Sequence, residues 1–126
     1  MIGFLALLVA VAAPPTAADG ISVAKRLVAA IKSGTEFQGS DFERPLEASD
    51  RAALHAFAAC RVGNIAYALT ADPTEPDTYV ENRDWVMVGF GCKGVSDQTP
   101  VGITLHLHNG KIGTIETHNA DLMRVR

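Results

Sequence analysis

Glu116 and His118 are the residues of this chain whose types and spacing best suit chemistry. From Gly102 to Asn119 the chain reads GITLHLHNGKIGTIETHN, two alternating runs joined by Asn109-Gly110. That dipeptide is preferred in two-residue hairpin turns, where both central positions take positive φ. Counting outward from the turn sets His108 opposite Lys111, Leu107 opposite Ile112, Leu105 opposite Thr114 and Ile103 opposite Glu116. One face then holds Val101, Ile103, Leu105, Leu107, Ile112, Thr114, Glu116 and His118, and the other holds Thr104, His106, His108, Lys111, Ile115 and Thr117. Glu116 and His118 therefore share the drier face, about 6.5 Å apart along the strand. A carboxylate removed from water there has its pKa raised, and an adjacent imidazole exchanges protons near neutral pH. The pair is the candidate for general acid–base catalysis, in a pocket lined by Ile103, Leu105, Leu107, Ile112, Thr114 and Phe90. The competing reading puts both residues at a frayed, solvated strand end.

His106-x-His108 offers two imidazoles on one strand face. Zinc takes three or four ligands. The hairpin partners at these positions are Gly113 and Lys111, and the lysine repels a cation, so no metal site is expected. Neither a nucleophile elbow nor a P-loop nor a dinucleotide-binding turn occurs. Gly89, Gly91 and Gly94 lie in and after a strand with no following helix, so they do not form a phosphate cradle. No cofactor is expected.

The elements that position these residues fall into a helical half and a strand half. Ile21, Val23, Ala24, Leu27, Val28 and Ile31 recur at helical spacing, with Asp19 or Ser22 to cap the start and Gly34 to end it. A stretch broken by Gly39 and Pro45 follows. Ser49-Asp50 then opens a second helix, expected to run through Cys60 and to stop at Gly63. Beyond it the period becomes two. Ile65, Tyr67 and Leu69 share a strand face, and Tyr79-Val80 begins a strand that resumes at Trp85. On that strand Val86, Val88, Phe90 and Cys92 face one way, and Trp85 and Met87 face the other. The order, helices and then an antiparallel meander, is α+β.

The first 18 of the 126 residues, MIGFLALLVAVAAPPTAA, hold no charged side chain. An apolar run, a Pro-Pro break and small residues before Asp19 are the pattern of a cleaved secretory signal, although the usual basic n-region is missing. The run is too short for the about 20 residues that a membrane anchor requires. Cleavage after Ala18 leaves 108 residues, 19–126, as one domain in the periplasm or outside the cell. In that compartment the only cysteines, Cys60 and Cys92, read as a structural disulfide rather than a reactive pair or metal ligands. The formal net charge of −3 and the lack of a basic cluster argue against nucleic acid and against membrane association after cleavage.

A helical first half followed by a curved sheet ending NGKI…IETHNADL resembles the nuclear transport factor 2-like group, the cystatin-like α+β roll. The resemblance covers about residues 49–122, and its motif is Asn109 to Ile112. It implies N-terminal helices packed on a curved antiparallel sheet, often around a conical pocket used for isomerisation, dehydration, hydrolysis or binding. No catalytic pattern of the group has matching positions here, and fold alone does not assign function. The expectation is a small exported domain that binds a small apolar ligand or a protein partner without catalysis. The alternative is a small lyase or isomerase using Glu116 and His118. Trp85 and Met87 on the outer sheet face suit a homodimer contact.

Overall fold

The computed structural model describes residues 19–94, 96 and 99–119, so the expected signal segment 1–18 lies outside the described residues. Helix α1 spans Gly20–Ser33 and α2 spans Ala48–His55, with a single 3-10 turn at Gly39–Asp41 between them. Strands β1 (Arg61–Ala71), β2 (Tyr79–Gly91), β3 (Pro100–His108) and β4 (Lys111–Asn119) follow. They form one antiparallel four-stranded sheet in the order β1-β2-β3-β4. The architecture is the expected α+β arrangement of helices against a curved, unclosed sheet. No helix among the described residues is long and apolar enough to cross a membrane.

α1 begins where a cap is available. The Asp19 carboxylate accepts the Ile21 N–H, one of the donors a helix start leaves unpaired, and Gly34 closes the helix with φ 71°. Val23, Ala24, Leu27, Val28 and Ile31 form its buried stripe. Gly20 is needed for close approach, because a Cβ there would come within 2.6 Å of Leu107 Cδ1.

α2 ends at His55, short of the expected Cys60. Phe57, Ala58 and Cys60 instead make tight hydrogen-bonded turns back to Leu54, His55 and Phe57. Phe57 is fully buried and stacks on Phe90 with ring centroids 4.2 Å apart, a contact worth about 0.5–1.5 kcal/mol beyond its burial. Cys60 is bonded to Cys92, with Cα atoms 4.5 Å apart. Together they draw the chain out of the helix and into β1. The Lys32 ammonium covers this junction, donating to the carbonyls of Ala58 and Cys60. Gly63 therefore does not stop the helix. It lies within β1, where a Cβ would sit 3.1 Å from the Gly89 carbonyl oxygen.

The core lies between α1, α2 and the inner sheet face. Val86, Val88 and Phe90 of β2 and Ile103 and Leu105 of β3 are buried there, joined by Ile112, Phe42 and Leu54. β2 runs unbroken, but its pairing with β1 jumps from Tyr67↔Val86 to Ala68↔Asn82. Residues 83–85 bulge from that ladder, held by the Asp84 N–H donating to Asn82 Oδ1. Beyond the jump, Leu69 and Tyr79 are exposed.

The β3–β4 ladder holds the main correction. His108↔Lys111 and Leu107↔Ile112 pair as the turn requires, but the next pair is His106↔Thr114. Gly113 is an unpaired extra residue, a β-bulge, and beyond it every side chain of β4 changes face. Leu105 now opposes Ile115, Thr104 opposes Glu116, Ile103 opposes Thr117, and Gly102 opposes His118. Ile115 and Thr117 take the inner positions expected for Thr114 and Glu116, and Thr114, Glu116 and His118 move to the outer face.

Two physical reasons favour this register. It packs Ile115 against the core and leaves the Glu116 carboxylate in water, where an unpaired charge is not penalised. It is also held from outside the hairpin. Phe42 bridges to Ile112, and the Glu43 N–H donates to the Ile112 carbonyl at 3.0 Å. The Glu43 side chain then lies over Gly113, 2.7 Å from where a Cβ would be.

Candidate functional site

The shifted register assembles a polar and aromatic group on the outer sheet face. β2 contributes Trp85 and Met87, β3 contributes Thr104 and His106, and β4 contributes Glu116 and His118. Cross-strand pairing makes them neighbours: Trp85↔His106 and Met87↔Thr104 across β2–β3, and Thr104↔Glu116 across β3–β4. Trp85 meets the His106 ring edge-on, with centroids 4.8 Å apart and planes at 75°. His106 Nε2 is buried and lies 3.2 Å from Glu116 Oε2, without the alignment of a hydrogen bond. His118 Nε2 and Thr104 Oγ1 form a hydrogen bond of 2.7 Å.

Access differs sharply within the group. Thr104 is only 6% exposed, whereas the Glu116 side chain is 56% exposed. The buried hydroxyl braces His118 and is not presented to a reactant. The Glu116 carboxylate is solvated rather than enclosed in a pocket. Trp85 and Met87 remain 41% and 40% exposed beside this cluster. Such a surface suits recognition, with an aromatic anchor beside groups that both donate and accept hydrogen bonds.

The residues expected to line an inner pocket are placed otherwise. Ile103, Leu105, Ile112 and Phe90 are buried in the core cluster, Leu107 is partly buried against it, and Thr114 is exposed on the outer side. His106 and His108 do project together, but they meet different carboxylates: Glu116 for His106, and Glu43 in close contact for His108. Among the described residues no group of three or more His, Cys, Asp or Glu side chains is placed to hold a metal ion.

Sequence reasoning missed the tertiary pairs. Arg26 grips Asp41 through Nε and Nη2 at 3.0 and 2.9 Å. Tyr67 donates its hydroxyl to Asp19 Oδ1 at 3.1 Å, and the Arg83 guanidinium lies 4.8 Å over the Tyr67 ring. Only the helix-capping role of Asp19 was readable locally.

Comparisons with protein-family models, with curated proteins and with solved structures find no match. A functional reading therefore rests on the chemistry of these surfaces.

Proposed function

We propose that this protein is a small exported, disulfide-braced binding domain without catalytic function, and that its partner docks on the outer sheet face. The uncharged segment 1–18 and the Cys60–Cys92 bridge support export. Helices on one face of a four-stranded antiparallel sheet support the nuclear transport factor 2-like resemblance at the level of architecture. One observation carries the binding assignment: Trp85 and Met87 stand exposed beside His106 and Glu116 on an open sheet face.

A protein partner is favoured over a small apolar ligand, because the inner-face residues that would hold a ligand are packed in the core. The first candidate partner is a second copy of the chain. The face carries an aromatic anchor together with both imidazole and carboxylate, so it is chemically self-complementary across a two-fold axis. The lyase or isomerase alternative is less well supported, since its carboxylate is solvated.

Sedimentation equilibrium of the purified protein tests the reading. A dimer that the Trp85→Ala, Met87→Ala double variant converts to monomer, with an unchanged circular dichroism spectrum, is the expected result. A monomeric protein, or a dimer indifferent to that variant, would remove the support for self-association through this face.

A further inference from the structure

A cleft of about 770 Å³ runs between α1, the bulge of β2 and the tip of the β3–β4 hairpin. Three cations from three elements line it: Arg26 of α1, Arg83 of β2 and Lys111 of β4. The carboxylates in the same cleft are Asp19 and Asp41. Each is already engaged, Asp41 by the bidentate Arg26 and Asp19 by Ser22, Tyr67 and the Ile21 N–H.

The cations are not used up in the same way. Arg26 gives one edge of its guanidinium to Asp41 and keeps N–H donors on the other. Arg83 is held over the Tyr67 ring and, among the described residues, touches a carboxylate only at 3.6 Å, with Glu81, both side chains being well exposed. Lys111 makes no ion pair among the described residues. Asp41 and Tyr67 thus hold two guanidiniums in place before any ligand arrives, which lowers the ordering cost of binding. Ser40 adds a hydroxyl to the lining.

We propose that this cleft binds a singly charged oxyanion, a carboxylate or a phosphodiester, carried by a small molecule. Arg83 and Lys111 supply the direct contacts, and Arg26 supplies its free edge. The guanidinium fork matches the paired oxygens of either group. Arg26 is shared with Asp41 and Arg83 with Glu81, so the cleft offers partly neutralised cations, which suit a monoanion better than a dianion. This site is independent of the outer-face reading, and neither depends on the other.

The probes are benzoate and dimethyl phosphate, each titrated into the isotope-labelled protein at ionic strength held constant with sodium chloride. The amides of Asn109, Gly110 and Lys111 and the Arg26 and Arg83 side-chain N–H signals should shift along saturable curves with at least one probe. The probe that saturates names the source of the oxyanion. Arg83→Gln and Lys111→Gln alter exposed side chains and should leave the rest of the spectrum in place. Each should weaken binding by about tenfold, the loss of one charge-assisted hydrogen bond. Shifts that stay linear with both probes, that map elsewhere, or that persist unchanged in both variants would overturn the proposal.

Discussion

Thr104 stands directly across from Glu116 in the β3–β4 ladder, although the Asn109-Gly110 turn alone would set Ile103 there. The unpaired Gly113 accounts for the whole difference. One extra residue moved Glu116 and His118 from the core side to the outer side, and exchanged a candidate acid–base pocket for an exposed polar and aromatic face.

The register predicts a selective cross-link. Directly opposed antiparallel positions have Cα atoms about 4.5–5.5 Å apart, inside the span that a disulfide bridges. Thr104→Cys with Glu116→Cys should oxidise to a linked pair in peptide mapping, and Ile103→Cys with Glu116→Cys should not. The reverse outcome would restore the unbulged hairpin.

Removing the native bridge has a calculable effect. Cys60 and Cys92 are separated by 32 positions, and closing such a loop constrains the unfolded chain by about 3–4 kcal/mol. Cys60→Ala with Cys92→Ala should lower the unfolding free energy in urea by about that amount. A loss below about 1 kcal/mol would mean that the bridge contributes little to the fold.

Arg26 and Asp41 should behave as a geometric pair rather than as two charges. The half-exposed guanidinium is screened by solvent, so Asp41→Ala should cost about 1–2 kcal/mol. Arg26→Lys keeps the charge but loses the bidentate fork, and should recover only part of that stability. A double-mutant cycle in urea measures the coupling, and full recovery by lysine would contradict the geometric account.

Asp19 sets a pH dependence with a definite sign. Hydrogen bonds from Ser22, then Tyr67, hold its carboxyl below the ordinary value of 3.8. A depressed folded pKa means that the contribution is present above pH 3.8 and is lost as pH falls through the folded value. Tyr67→Phe removes one of those donors, so the Asp19 titration should move upward. Carboxyl carbon NMR reads it directly, and an unmoved titration would show that Tyr67 plays no part.

Much of the fold was legible because its signals are local. The stripe from Val23 to Ile31, the Asp19 cap and Gly34 specify α1 within a few turns of chain. Alternation from Val86 to Phe90 sets the inner face of β2, and Asn109-Gly110 sets the turn. The parity that turned Cys92 inward agreed with the disulfide. What tertiary structure alone decided was the end of α2, where Phe57 stacks on Phe90, and the bulge at Gly113. Both registers leave the same turn with the same pairs at His108 and Leu107, so the hairpin sequence does not choose between them. The choice comes from residues far away in the chain. Phe42 and Glu43 dock on Ile112, and the core accepts Ile115 at lower free energy than the Glu116 carboxylate. Because the side-chain period of a strand is two, that single residue decided which face of the protein carries its chemistry.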